Sequence, residues 1–531
     1  MTGILLINAR IHTLDSQRPS ASAIAIDHGR ILAVGDTDKL KAEFGNRFQA
    51  EDLHGMVLLP GLTDAHLHLQ QYALGLEMVD CETVTRLECL QRVAERARLT
   101  PPGEWIRGHG WNQNTWPDGA GNVADLDAAA PYNPTYLTHK SLHSAWVNNS
   151  ALKLAKLTPD SPNPAGGRLG RLSNGALDGN LYESAMELVA NVIPQPSIEK
   201  IAQAIRQALT RLWQVGLTGV HDFDRRDCFA ALQLLHNAGE LQLRVVKSIP
   251  LEDLSLAVRL GLRSGFGDDN LRIGSVKAFM DGALGPQTAA MFAPYEGTAD
   301  NRGILMMDAE QLFEHARLAA ENGLSMAVHA IGDRAVHEVL DAYQQLRLYE
   351  HDHLGSLGLR HRIEHVQVIH PADAGRLAEL KVIASMQPIH ATSDMLMTDR
   401  YWGRRAELAY AWRSQLQAGA RLAFGSDAPV ESPNPFLGLH AAVTRRRADG
   451  SPGEQGWYPE QRLSLLEALH GFTTGAAYAA GMEDRLGRLS PGCLADLIVL
   501  DKDPFGCDPH ELQFILPVRT MVAGKWVFRT D

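Results

Sequence analysis

The chain has few cysteines and no long apolar segment, and both absences limit what it can be. Its 531 residues include five cysteines, which are scattered and form no Cys-x-x-Cys pair. An odd, scattered set argues against a disulfide framework and against a thiolate zinc site, so we expect reduced thiols. No apolar run approaches the roughly 20 residues that a membrane span needs. The composition therefore predicts a soluble protein.

An excess of positive charge is also missing. The formal net charge is -12, whereas binding to a phosphate backbone draws its affinity largely from Lys and Arg. We therefore expect a small-molecule substrate, with neither nucleic acid nor a membrane as partner. The first residues, 1–10, show no basic leader before a short apolar stretch, which predicts a cytoplasmic protein. The chain has no coiled-coil repeat that would specify an oligomeric state.

Both ends of the chain read as short apolar strands. Residues 4–8 and 23–34 form this pattern near the amino end, the second with a turn at 27–30, and residues 495–500 and 520–528 repeat it near the carboxyl end. A chain of this length exceeds one ordinary core of roughly 250–300 residues. We predict a small β-sandwich domain built from residues 1–56 and 487–531, beside a large catalytic domain.

Between these ends, short β-branched runs alternate with longer helical patterns. Eight such strands fit a closed (β/α)8 TIM-like barrel, which we assign to residues 57–486, although periodicity alone leaves a doubly wound open sheet as an alternative. The predicted strands are the run that ends at His68 and the segments Gly216–Phe223, Leu243–Ile249, Ile273–Met280, Ser325–Ala330, His361–Val366, Val382–Pro388 and Arg421–Asp427.

The stretch after the first predicted strand is long for one crossover. Residues 70–215 contain Trp105, Trp111, Trp116 and Trp146 among turn-forming residues. We predict a large insertion near the barrel mouth. Segments of this length are often lids or binding loops; a stabilising excursion that touches no substrate is the alternative.

Two histidines close the first predicted strand. His66 and His68 end a mostly apolar run that starts at Met56. Residues i and i+2 of a strand project from the same face, so both imidazoles point the same way, within reach of one cation. For an isolated His-x-His pair, a solvent-facing strand end followed by a helix N-cap is the alternative.

Four later strands end in residues able to bind or orient a divalent metal. These residues are Lys277, His329, His365 and Asp427. The carboxyl ends of barrel strands form the rim on which barrel enzymes assemble catalytic groups from distant parts of the chain. Singly, each has an ordinary explanation as a rim ion pair, a core histidine or a helix cap. Burying them together without a shared cation is costly, so the set predicts a metal site.

Seven segments of the chain carry a family resemblance. They are Pro60–His68, His143–Asn148, Val276–Gly285, Val328–Arg334, Arg362–His365, Ser385–Pro388 and Gly425–Val430. Together they resemble the amidohydrolase superfamily, and within it the YtcJ-like proteins of amidohydrolase family 3, related to N-substituted formamide deformylases. The resemblance spans nearly the whole chain.

The resemblance implies a ligand set for one or two metal ions. His66 and His68 would bind the more buried ion together with Asp427. His329 and His365 would bind the second. Zinc is the expected ion for imidazole and oxygen ligands, and the same set accepts Mn, Co, Ni or Fe.

The resemblance also implies that Lys277 is N-carboxylated and bridges the two ions. An ammonium group has no lone pair and repels cations, whereas a desolvated neutral amine takes up CO₂ and presents carboxylate oxygens. A one-metal site with an unmodified Lys277 is the alternative.

The predicted activity is metal-dependent hydrolysis of a C–N bond of amide, N-acyl or N-formyl type. A bound metal lowers the pKa of water to about 7 and polarises the carbonyl. Asp427 would serve as general base that takes the proton from metal-bound water, giving the hydroxide, and would deliver that proton to the leaving nitrogen. Trp111, His143 and His390 are candidate substrate contacts; their alternatives are packing in the insertion, a turn hydrogen bond and helix capping.

Two other functions remain open on the same sequence. One is deamination of a heterocyclic amine on the same fold. The apparent lysine ligand at Lys277 argues against this function. The other is a noncatalytic metal-binding regulator, which the intact ligand set disfavours.

Overall fold

The computed structural model describes residues 3–113, 116–140, 144–164, 167–355 and 358–530. The chain divides into two compact units. The barrel unit comprises Met1–Tyr72 and Ile205–Asp531, and the inserted unit comprises Ala73–Ala204. Within the described ranges, no helix combines the length and apolar character needed to cross a membrane.

Eight parallel strands form the centre of the barrel unit. They are numbered here as barrel strands 1 to 8: Leu62–Leu67, Leu217–Asp222, Arg244–Pro250, Leu271–Phe279, Met326–Ala330, Arg362–His365, Ile383–Met386 and Arg421–Phe424. Each strand pairs with the next in chain order. The predicted TIM-like barrel is confirmed, and the open doubly wound sheet is excluded by this sequential order.

Hydrogen bonds just beyond barrel strand 8 tie it to barrel strand 1. The backbone N–H of Asp427 donates to the carbonyl of His66 at 2.7 Å, and that of His68 donates to the carbonyl of Ala428 at 2.8 Å. Gly425 lies so close to strand 1 that a Cβ there would be 2.5 Å from the backbone nitrogen of His66. The loop after strand 8 is thereby held against the two histidines of strand 1.

Several barrel strands are buried along their whole length, including their polar residues. Every residue of barrel strands 2, 6 and 7 is buried, as parallel strands covered on both faces require. The α-helices of this unit include Thr37–Phe44, Arg226–Asn237, Leu254–Arg259, Ala309–Glu321, Asp333–Tyr349, Arg376–Glu379, Pro388–Trp402, Trp412–Ala418, Pro435–Thr444, Leu465–His470 and Ala476–Ala479. Leu69–Gly75 and Ile198–Gln214 connect it to the inserted unit.

Two further sheets in the barrel unit come from the terminal segments. One has the strand order Arg30–Gly35, Ala23–Asp27, Ile4–Ile7, Gln49–Asp52; the other has Lys525–Arg529, Arg519–Val522, Leu497–Leu500, Val57–Pro60, Arg10–His12, Ser20–Ala21. One buried apolar cluster contains Leu6 and Ile24 of the first sheet and Leu58 and Leu497 of the second. The predicted domain boundaries at 56 and 487 stay a prediction.

The inserted unit has its own six-stranded mixed sheet. Its order is Gly167–Arg171, Leu177–Glu183, Ser144–Val147, Thr135–His139, Ile106–Trp111, Val79–Asp80, and its helices include Arg86–Leu99, Val123–Ala129, Asn149–Leu154 and Glu187–Ala190. Trp111, Trp116 and Trp146 belong to one buried cluster of this unit. The position of the insertion near the barrel mouth stays a prediction.

Candidate metal centre

Three side chains from the seam between barrel strands 1 and 8 converge. The Nε2 atoms of His66 and His68 each lie 3.5 Å from Oδ1 of Asp427. One donor atom from each residue lies within 4.8 Å of the other two. Asp427 has a φ of 61°, a left-handed conformation that Asp tolerates better than most residues and that often marks functional positions. The three donors suit a divalent ion such as zinc.

A buried carboxylate fixes the ring of His66. Its Nδ1 lies 2.6 Å from Oε2 of Glu364, and Glu364 also accepts hydrogen bonds from Arg362. Burial lowers the pKa of His66 well below its usual value, so the imidazole is neutral. With the Nδ1 proton donated to Glu364, the lone pair of His66 is on Nε2, which faces Asp427.

A second carboxylate contacts the ring of His68. Its Nδ1 lies 3.3 Å from Oδ1 of Asp224, which follows barrel strand 2. Burial works against protonation of His68, but the hydrogen bond to Asp224 and the negative charges of Asp224 and Asp427 together raise the pKa of this imidazole. The Nε2 atom is again the one that faces Asp427.

The other two predicted histidine ligands lie side by side. The ring centroids of His329 and His365 are 4.6 Å apart, and those of His365 and His66 are 4.8 Å apart. Nδ1 of His365 is 2.8 Å from Oε1 of Gln387, and Nε2 of His329 is 2.9 Å from the carbonyl oxygen of Gly282. These contacts leave Nε2 of His365 and Nδ1 of His329 as lone-pair donors. Burial lowers the pKa of both histidines, that of His329 to about 3.

Lys277 is buried against aromatic rings rather than against a carboxylate. Its Nζ lies 4.7 Å from the ring centroid of Phe223 and 4.9 Å from that of Phe279. The described parts of the chain give Nζ no hydrogen bond or ion pair. Burial lowers the pKa of Lys277 to about 8, although Glu364 and Asp427 act in the other direction. A desolvated amine that titrates near neutrality fits the predicted carboxylation.

The predicted substrate contacts differ in where they lie. Nε2 of His390 is 3.7 Å from Oδ2 of Asp427 and has no hydrogen-bond partner within the described residues. Trp111 is 2% exposed, and its indole N–H donates to the carbonyl of Leu137 inside the core of the inserted unit. His143 lies outside the described residues.

Sequence reasoning missed Asp224 and gave no role to Gln387. Barrel strand 2 ends at Asp222, and Asp224 follows two residues later; two acidic residues at this end of a strand are the signal that points to the rim. Gln387 follows barrel strand 7, but its contact with His365 depends on two strands being neighbours. Lys277 and the five other candidate ligands described above lie at or near the carboxyl ends of their strands, and their chemistry fits a divalent metal.

Comparison with known proteins gives the same family over nearly the whole chain. A model of the amidohydrolase family matches residues 49–528. "Protein LONG AFTER FAR-RED 3" of Arabidopsis thaliana is 33% identical over 99% of this chain and 91% of that relative. The putative amidohydrolase YtcJ of Bacillus subtilis is 31% identical over 98% of both chains. The N-substituted formamide deformylase of Arthrobacter pascens is 27% identical over 99% of this chain and 98% of that relative.

A solved structure adds a likeness in three dimensions. An uncharacterized metal-dependent hydrolase from Pyrococcus horikoshii OT3 is 28% identical, with a TM-score of 0.80 over 96% of this chain and 99% of that chain. The sequence match, the relatives and the barrel agree. The chain therefore belongs to the amidohydrolase family, in the group that includes YtcJ and N-substituted formamide deformylase.

Proposed function

We propose that this protein is a divalent-metal-dependent hydrolase that cleaves a C–N bond of amide, N-acyl or N-formyl type. The observation that carries the proposal is the convergence of His66, His68 and Asp427, whose donor atoms lie within 4.8 Å of one another. The likeness to an N-substituted formamide deformylase, at 27% identity, supports an N-formyl or related N-acyl substrate.

The candidate ligands divide into two groups. His66, His68 and Asp427 would hold one ion, and His329 and His365 a second. N-carboxylated Lys277 would contribute oxygens to both, and zinc is the ion expected for this donor set. When bound, the metal supplies Lewis-acid chemistry, activating water and polarising the substrate carbonyl.

The two carboxylate oxygens of Asp427 have different neighbours. Oδ1 lies 3.5 Å from the Nε2 atoms of His66 and His68, whereas Oδ2 is 3.7 Å from Nε2 of His390. Burial raises the pKa of Asp427 above its usual value, which favours proton acceptance. We assign Oδ1 to metal binding and Oδ2 to taking a proton from water and delivering it to the leaving nitrogen.

His390 supplies an unsatisfied polar atom beside that oxygen. A buried ring nitrogen without a partner costs about 1–3 kcal/mol, so a ligand that pairs with it gains binding energy. We assign His390 to a hydrogen bond with the substrate near the scissile bond.

The variant Asp427→Asn tests the proposed base. Asparagine keeps an oxygen at the ligand position but is a poor proton acceptor, so we expect kcat to fall about 10²- to 10⁴-fold with metal retained. The measurement is release of primary amine from N-formyl and N-acyl amines, with metal per chain determined on the same samples. Asp501→Asn, at an exposed position, is the control.

Near wild-type turnover by Asp427→Asn contradicts the assignment. Release of ammonia from heterocyclic amines, without amide hydrolysis, indicates a deaminase instead. Metal-replete protein that binds small molecules but turns over none of these substrates indicates a regulator.

A further inference from the structure

We propose that Asp224 is a positioning residue that fixes the orientation and tautomer of His68 for metal binding, and that buried Lys247 and Asp222 hold Asp224 in place. The proposal rests on the metal-dependent function proposed above. It assigns a role to the charged cluster between barrel strands 2 and 3.

The imidazole of His68 is contacted on both of its nitrogens. Nδ1 is 3.3 Å from Oδ1 of Asp224, and Nε2 is 3.5 Å from Oδ1 of Asp427. For His68 to bind a metal through Nε2, Nδ1 must carry the proton, and the carboxylate of Asp224, which can only accept a hydrogen bond, favours that tautomer. Histidine ligands commonly depend on such a partner, which sets the ring orientation and increases the basicity of the ligand.

The Asp224 carboxylate is itself held by the chain that follows His68. Oδ2 accepts hydrogen bonds from the backbone N–H groups of Gln70 at 2.5 Å and Gln71 at 3.3 Å, and Oδ1 accepts one from Nε2 of Gln71 at 3.2 Å. Gln70 and Gln71 lie in the first turn of helix Leu69–Gly75. The carboxylate of Asp224 therefore contacts both the imidazole of His68 and the first turn of the next helix, and it restricts rotation of that imidazole relative to the helix.

Lys247 neutralises the second carboxylate of the cluster. Its Nζ lies 3.0 Å from Oδ2 of Asp222 and donates to the backbone carbonyls of Asp224 and Ser248. Asp222 is 0% and Lys247 2% exposed, so solvent does little to screen this pair. Lys247 thus pairs with the carboxylate of Asp222, while the carboxylate of Asp224 faces His68.

This arrangement differs from the support of His66. Glu364, which contacts His66, also accepts two hydrogen bonds from the guanidinium of Arg362. The carboxylate of Asp224 has no Lys or Arg side chain against it within the described residues. The side-chain hydrogen bonds of Asp224 therefore go to His68 and to the start of the following helix.

The variant Asp224→Asn removes the charge and keeps an oxygen for the backbone N–H groups of Gln70 and Gln71. We expect zinc affinity to fall about 10- to 100-fold, measured by competition with a chromophoric chelator on metal-free protein. The thermal midpoint and circular dichroism of the metal-free variant should match the wild type. The absorption spectrum of the Co²⁺-loaded variant should also change, because the His68 ligand is altered.

A matched control is present elsewhere in the barrel unit. Asp373 is 1% exposed and lies 3.0 and 3.1 Å from Nδ1 of His337, which is not a candidate ligand. Asp373→Asn removes a buried, histidine-bound carboxylate in the same way. It should leave zinc affinity and the Co²⁺ spectrum unchanged.

A double-mutant cycle shows whether Asp224 acts through His68. In a His68→Ala background, Asp224→Asn should cause no further loss of zinc affinity, because the ring that it orients is gone. Gln71→Ala removes one exposed hydrogen-bond donor to Asp224 without disturbing buried groups. It is the variant that tests the proposal if Asp224→Asn does not fold. We expect it to weaken zinc binding about 2- to 10-fold.

The outcomes separate this proposal from the function on which it rests. Wild-type protein that binds no zinc overturns the metal-dependent function and this inference with it. The role of Asp224 alone is overturned if the wild type binds zinc and Asp224→Asn binds it equally well. It is also overturned if the losses of zinc affinity from Asp224→Asn and His68→Ala are additive.

Discussion

The pKa of Lys277 predicts how metal uptake depends on pH. Burial lowers this pKa to about 8, so about 1% of the side chain is neutral at pH 6 and about half at pH 8. An ordinary lysine would be only about 0.4% neutral at pH 8. Because only the neutral amine attacks CO₂, forming the N–C bond of a carbamate and releasing one proton, carboxylation should proceed about 50-fold faster at pH 8 than at pH 6.

The neighbouring histidines do not hide this effect. Burial lowers the pKa of His66, His329 and His365, so these rings are neutral across the whole interval. The pKa of His68 is raised although the charge of Lys277 acts to lower it, and His68 is retained in a variant that lacks the lysine. Lys277→Met is therefore the control that isolates the amine.

The assay starts from metal-free protein with zinc at pH 6, 7 and 8 and a constant concentration of dissolved CO₂. We expect the initial rate of uptake of a second ion to rise about 50-fold over this range, and to vanish when CO₂ is removed. Labelled ¹³CO₂ should give a carbamate signal in the wild type only. Two ions per chain at pH 6 without CO₂, or equal uptake by Lys277→Met, would refute the reasoning.

Two further predictions concern the frame that holds the centre. Gly425→Ala should lower both the zinc content and the urea midpoint of unfolding, because the added Cβ would lie 2.5 Å from the backbone of barrel strand 1. The control is Gly375→Ala, where the nearest atom to an added Cβ is 3.5 Å away; it should change neither the zinc content nor the urea midpoint. Glu364→Ala should destabilise the metal-free protein by about 3–5 kcal/mol, since it leaves the buried guanidinium of Arg362 unpaired. Glu240→Ala, which breaks a half-exposed ion pair, should cost less than about 1 kcal/mol, and equal unfolding curves for the two glutamate variants would contradict this account.

The barrel was predictable because its strands follow local rules. Most of the barrel strands are short runs rich in apolar residues, and the predicted segment Ser325–Ala330 differs from the observed Met326–Ala330 by one residue. The strand pattern predicted over residues 520–528 likewise falls on the observed strands Arg519–Val522 and Lys525–Arg529. Such patterns are set by neighbours along the chain.

The supporting contacts were not predictable from local patterns. Asp224 contacts His68, and Gln387 contacts His365, only because neighbouring strands bring them together. Trp111 shows the converse, since an aromatic residue in a long insertion has the same local pattern whether it contacts a ligand or fills a core. In the structure it belongs to the core of the inserted unit, and its predicted contact with substrate has no support from this position.

The sheet that joins the two terminal segments has a consequence for how the chain folds. Leu497–Leu500 pairs with Val57–Pro60, and Gly61 alone separates that strand from barrel strand 1. Asp496 adds a buried ion pair to Arg244 of barrel strand 3. Contacts so distant in sequence form slowly and late during synthesis. The proposed ligands His66 and His68 thus follow a strand whose partner is synthesised far later in the chain, so we expect metal binding to follow the pairing of these two strands.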